Sequence, residues 1–155
     1  MKQFDRALDA IQARIQELAS LEAQVGWFPE SVYEDGTSVA SVALIHEHGA
    51  PAAGIPPRPF IRPTIDDESA QWGSILSAGA KKVLAGKASA HDVMSAIAMT
   101  AAADVQANIA AVNEPELSAA TKANRTRNGR NYKPLQDTGK MIASVQGIVV
   151  KRNEP

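Results

Sequence analysis

Three stretches of this sequence carry residue types that do chemistry. The first is His46-Glu47-His48, the one group that resembles a metal site. Helical zinc sites place two histidines four residues apart, one above the other on a single face. Here they are two apart, which on a helix separates them by roughly 200°. On a strand they would share a face, but the pattern before them is helical. The expectation is therefore a histidine at a helix end, where its protonated form suits the C-terminal dipole. His91 is the sole other histidine and lies far along the chain. The second stretch is Asp66-Asp67-Glu68, which fits the first turn of a helix, where the macrodipole favours acids. The sequence lacks a Gly-x-Ser-x-Gly elbow, a Gly-x-x-x-x-Gly-Lys phosphate loop and a Gly-x-Gly-x-x-Gly loop. No positive feature argues for an enzyme, and no cofactor or metal is expected. A small hydrolase using His46, Glu47 and His91 is the enzymatic rival, which metal analysis would test.

The third stretch is the basic segment from Lys122 to Lys133, with five cations, no acid and almost no apolar side chain. Such a segment buries too little surface to fold alone, so a mobile loop over 122–133 is expected in the free subunit. Lys122, Arg125, Arg127, Arg130 and Lys133 suit phosphate contact, and Tyr132 is available to stack on a base. The competing reading, which we favour, is a loop that orders against a protein neighbour. Charge asymmetry supports it. Residues 1–121 hold 8 basic and 15 acidic side chains, a net of −7, whereas residues 122–155 hold 8 and 2, a net of +6. An acidic body with a basic end is self-complementary between copies.

Several elements must position these groups. Phe4, Leu8, Ile11, Ile15, Leu18 and Leu21 recur at helical spacing, giving an amphipathic N-terminal helix that Gly26 would stop. Its stripe is narrow, and we expect it to cover the chain's own sheet. A short strand over 24–28 is expected next, then a turn at Asp35-Gly36. Ser38 to His48 has a helical pattern with Ser38 as its cap and Gly49 as its end. Pro51, Gly54, Pro56, Pro57, Pro59 and Pro63 follow within residues 50–63. Prolines fix φ and remove backbone donors, so an extended rail is expected, anchored by Phe60 and Ile61 and charged by Arg58 and Arg62. Helices are expected over 63–85, with Thr64 as cap, and over 89–112, with Ser89 or Ala90 at its start. Asp137 or Thr138 would cap a short helix through Ser144, and residues 145–151 have β character.

Composition bounds the rest. The chain has 155 residues, which suits a single domain. Aromatics are only 5% and cysteine is absent, so disulfides and thiolate metal sites are excluded. A core this rich in alanine points to surface buried against partners. The opening Met1–Asp9 is charged from its second residue, unlike a signal peptide. No run of about 18 apolar residues occurs, so no membrane partner is expected.

Two blocks carry a resemblance. One is Val42-Ala-Leu-Ile-His-Glu-His-Gly-Ala-Pro, followed by Ile55-Pro-Pro-Arg-Pro-Phe-Ile-Arg-Pro. The other is Lys133-Pro-Leu-Gln-Asp-Thr-Gly-Lys-Met-Ile-Ala-Ser-Val. Together, in this order, they resemble the neck and tail-completion proteins of tailed phages, including morphogenesis proteins of lambdoid and Mu-like phages. The resemblance spans residues 40–150. It departs at the end, where the family pattern often continues into a β-hairpin and this chain stops after one strand. The resemblance implies an α+β subunit, a small, mainly antiparallel sheet with helices packed on it. It implies a homomeric ring of six copies, or twelve nearer the portal, in contact with other neck proteins and the tail-tube protein. DNA in the channel is a further expected contact. Such a ring ends the tail tube and joins it to the head, in a virion assembled in the host cytoplasm. No residue acts as a catalyst. Arg58, Phe60 and Arg62 would anchor the rail, and Asp137, Thr138 and Gly139 would launch the last helix.

Overall fold

The computed structural model describes residues 2–152, with side chains from Phe4 onward. Met1, Asn153, Glu154 and Pro155 lie outside it. The fold is α+β, with six helices and a small two-stranded antiparallel sheet among the described residues. The helices are α1 (Lys2–Ala19), α2 (Val39–His48), α3 (Ile61–Leu84), α4 (Ala90–Ala111), α5 (Ala119–Arg127) and α6 (Lys140–Ala143). The strands are β1 (Leu21–Gly26) and β2 (Gln146–Lys151). The chain gathers into two compact units.

Among the described residues, the first unit holds residues 2–25, 68–101 and 147–152. Its described core is Val83, Ala90 and Val93, flanked by Leu18, Leu21, Ala88 and Ile97. Small residues let these elements meet. At Gly147 any Cβ would run into the Ala98 carbonyl, and at Gly79 into the Val93 side chain. Glycine is therefore a packing requirement at both positions. The first helix ends earlier than expected. Ser20 closes it with hydrogen bonds from its amide to Gln16 O and Glu17 O, and Arg152 N then donates to Ser20 O. Strand pairing thus takes the chain at Leu21, without needing the glycine five residues on. The expected strand over 24–28 lies earlier, at 21–26. Leu21 reaches the core from the strand, and α1 does not cover the sheet with its whole stripe. Phe4, Leu8, Ile11 and Ile15 stay 68, 51, 40 and 51% exposed.

The second unit holds residues 26–67 and 102–146. Here Ser38 caps α2 as expected, accepting from Ser41 N. The proline segment is less extended than its composition implies. Pro51–Ala53 forms a turn of 3-10 helix, Ala50 and Ile55 pair in an antiparallel bridge, and the extended rail is confined to residues 56–60. Helix α3 starts at Ile61, so Pro63 sits in its first turn, where a missing N–H costs no helical bond. Thr64 is not the cap. Its buried hydroxyl donates back to Phe60 O at 2.6 Å. Asp66, Asp67 and Glu68 consequently fall beyond the first turn.

Helix α4 begins where Ser89 accepts from Asp92 N. By length and composition it is apolar enough to cross a membrane. On one face Val93, Ala98, Ala101, Ala102, Val105 and Ile109 are buried, whereas Met99 stays 70% exposed. The expected mobile loop over 122–133 is replaced in its first half by α5. Ser118 caps that helix by accepting from Thr121 N, and cations lie in its last turn, where the dipole favours them.

Candidate functional site

The two halves of the first sequence block meet at Glu47. This carboxylate is only 2% exposed. Its Oε2 accepts from Phe60 N at 2.7 Å and Ile61 N at 2.9 Å. Its Oε1 accepts from Arg62 N at 3.2 Å and Arg62 Nε at 3.0 Å. The amides that α3 leaves unpaired at its start are thus capped by a side chain from the end of α2. Burial pushes the Glu47 pKa up, but the three amides and the Arg62 guanidinium outweigh it and hold the carboxyl below its ordinary value. Gly49 permits the turn between the two halves. Its φ is 75°, and a Cβ there would lie 2.8 Å from Pro57 N.

The rail residues face inward. Phe60 is fully buried and meets the Trp27 ring edge-on, with centroids 5.8 Å apart at 87°. Trp27 Nε1 donates to Met141 O at 2.8 Å, which ties the rail to the second block. Arg58 is 5% exposed. Its backbone N donates to His46 O at 2.7 Å, and its guanidinium donates to Pro115 O at 2.7 Å and Glu116 O at 3.1 Å. Arg58 and Phe60 therefore anchor the rail within the subunit and present no surface to a partner. Arg62 keeps its side chain 60% exposed beside Glu47.

Much of the basic segment is neutralised locally. Lys122 pairs with Glu116, and Arg125 and Arg130 both pair with Asp137 at 3.3 Å. Arg125 also donates to the carbonyls of Asn131 and Lys133, fixing the turn after α5. Among the described residues Arg127 and Lys133 have no ion pair, and Tyr132 is 63% exposed. The second block is anchored by Leu135, which is buried although its φ is 61°. Gly139, not Asp137 or Thr138, is the residue that precedes α6, and Thr138 accepts from Lys140 N. Asp137 is instead the acid that gathers two arginines.

These residues border an open cleft of ≈ 910 Å³, lined by Tyr33, His46, Arg125, Arg130, Asp137 and Met141 among others. His46 Nδ1 is buried in it with no partner among the described residues. Burial, with the Arg58 and Arg125 charges adding to it, keeps the imidazole below its ordinary pKa. Asp137 Oδ1 is also enclosed. Its Arg125 neighbour supplies charge at 3.3 Å without hydrogen-bond alignment, so the contact is electrostatic. Burial raises the Tyr33 pKa, and the Asp137 and Asp35 carboxylates raise it further. The helical geometry of α2 turns His46 and His48 apart, and Glu47 is already engaged by four donors.

The sequence reading found the blocks but missed three members of the framework. Glu47 enters the sequence reading only in the His46-Glu47-His48 group, in the rival hydrolase set and as part of a motif. Trp27 falls within the strand expected over 24–28 with no role of its own, and Leu135 enters only as part of a motif. A carboxylate just before a glycine and a proline rail was the available signal for the first. In comparisons with family models, curated proteins and solved structures, nothing matches this chain.

Proposed function

We propose that this chain is a structural subunit of a tailed-phage neck or tail-completion ring, which ends the tail tube and joins it to the head. The observation that carries the reading is the use of both resemblance blocks in one buried framework. Glu47 caps the helix after the rail, Phe60 packs on Trp27, and Trp27 holds Met141 of the second block. A braced framework within the second unit, with exposed charged groups, suits a subunit whose partners are copies of itself and neighbouring neck and tail-tube proteins. The exposed Arg62, Arg127 and Lys133 are the residues of the basic and rail segments left available for assembly contacts on this reading.

The test is electron microscopy of particles made without this chain, with complementation by the intact gene. Unjoined heads and tails of irregular length are expected. Normally joined particles of uniform tail length would sink the proposal.

A further inference from the structure

One dipeptide in the basic segment carries chemistry of its own. Asn128 precedes Gly129, and no other asparagine in the chain precedes glycine. A backbone nitrogen can attack the side-chain amide of the asparagine before it, and glycine has no Cβ to shield that nitrogen. At Gly129 the space is open, since a Cβ would meet nothing within 4 Å. Asn128 itself is exposed. The fold nevertheless holds the pair apart. Asn128 ends α5 with φ −96° and ψ 10°. At that ψ the Gly129 nitrogen eclipses the Asn128 nitrogen and lies away from the side chain. Gly129 N donates to Thr126 O at 3.1 Å and Arg130 N to Arg125 O at 2.9 Å, which closes the helix end. The Asn128 side-chain amide is restrained as well, donating to Asn124 O at 3.0 Å and Asn124 Oδ1 at 3.1 Å.

We infer that Asn128 is a deamidation site gated by opening of the last turn of α5. When the turn opens, Gly129 N leaves Thr126 O, and rotation about the Asn128 Cα–C bond brings this nitrogen to Cγ. The nitrogen gives its proton to hydroxide and bonds to Cγ. The Cγ–Nδ2 bond breaks, and Nδ2 takes a proton from water and leaves as ammonia. Water then opens the cyclic imide at either carbonyl. One opening leaves aspartate at 128 and the other isoaspartate, each with a new carboxylate. Solvent is the sole co-reactant.

The product alters the segment that forms it. Residues 122–133 hold five cations and no acid, so their net charge falls from +5 to +4. The new carboxylate has no proton to donate to Asn124 O, and it faces the negative end of the α5 dipole. Reaction therefore removes part of the cap that restrained it, and the last turn opens more readily afterwards.

The full chain is incubated at mildly alkaline pH, natively and in urea, then digested at glutamate and mapped by mass spectrometry. In urea, conversion at Asn128 is expected to outrun that at Asn108, Asn113, Asn124 and Asn131. In the native chain it is expected to be slower by about tenfold or more, because the fraction of time the turn is open sets the rate. Ser118→Ala removes the cap at the other end of this short helix and should speed native conversion by about threefold or more, with the rate in urea unchanged. Ser118 is exposed, so the variant should keep the parent's unfolding transition. Equal rates at Asn128 with and without urea would overturn the inference. Native conversion that Ser118→Ala leaves unchanged, or that begins at another asparagine, would do the same.

Discussion

Replacing Glu47 by glutamine removes one of two acceptor oxygens while keeping the shape. The carboxylate serves two donors with each oxygen. In the variant one pair of donors faces an NH2 group instead. If the amide oxygen keeps Phe60 N and Ile61 N, the losses fall on Arg62 N and Nε. The hydrogen bond from the Arg62 amide is partly buried, while the guanidinium is 60% exposed and regains water. A buried charge-assisted hydrogen bond contributes about 1.5–3 kcal/mol, and the exposed ion pair less than about 1 kcal/mol. The expected cost is about 3 kcal/mol, or a fall in Tm of roughly 6–12 °C for a chain of this size. The pH dependence supplies an independent check. The folded carboxyl has a depressed pKa. Its stabilisation is therefore complete above the ordinary glutamate value and is lost as pH falls through the lower folded value. Urea titrations followed by circular dichroism at neutral and at acidic pH measure both. The gap between parent and variant should be about 3 kcal/mol at pH 7 and should shrink in acid. A gap below about 0.5 kcal/mol at pH 7, or one of equal size at both pH values, would refute the capping argument.

Other perturbations follow from the same framework. Arg58→Ala leaves the Pro115 and Glu116 carbonyls without their donor, and a loss of about 2–3 kcal/mol is expected in urea titration. Hydrogen exchange should speed up selectively around residues 113–118. Gly147→Ala drives a methyl group into the Ala98 carbonyl, where backbone must give way, and should cost more than about 2 kcal/mol by thermal unfolding. Burial, and then the Arg58 and Arg125 charges, lower the His46 pKa, so the unfolded chain binds its proton more readily than the folded one. Stability should fall as pH drops below the ordinary histidine value, and His46→Gln should lessen that fall in a thermal-shift series.

How much of this was visible beforehand depends on whether a signal was local. The cap at Ser38 and the helix at residues 39–48 were legible because a capping serine precedes a helical apolar pattern. The end of α1 was not, because the deciding bond comes from Arg152, far along the chain. The basic segment misled for a similar reason. Its composition lacks apolar residues, yet α5 forms over 119–127 because Ser118 caps it and distant acids compensate its cations. Glu116 and Asp137 flank the segment, outside the window in which it appeared uncompensated. The rail was legible in direction but not in length, since proline tolerates the first turn of a helix. Glu47 was hidden most completely. A carboxylate between two histidines draws attention to metals, and its true donors come from backbone amides, which no side-chain pattern displays.

The same pairing changes what the basic segment can do with DNA. If all five cations of residues 122–133 met phosphates, the logarithm of affinity would fall with the logarithm of salt at a slope of about −4.5. With Lys122, Arg125 and Arg130 held by Glu116 and Asp137, only Arg127 and Lys133 are unpaired, and the slope should be about −1.8. Fluorescence anisotropy with a short duplex at several salt concentrations reads this directly. Asp137→Asn offers a second arm, because releasing two arginines should steepen the slope by up to about 1.8. A parent slope near −4.5 that Asp137→Asn leaves unchanged would show that the internal pairs yield to phosphate, and the nucleic-acid reading would then gain over protein contact. A shallow slope that steepens in the variant would mean that Asp137 reserves these arginines for the fold, leaving protein contact as the better use of Arg127, Tyr132 and Lys133.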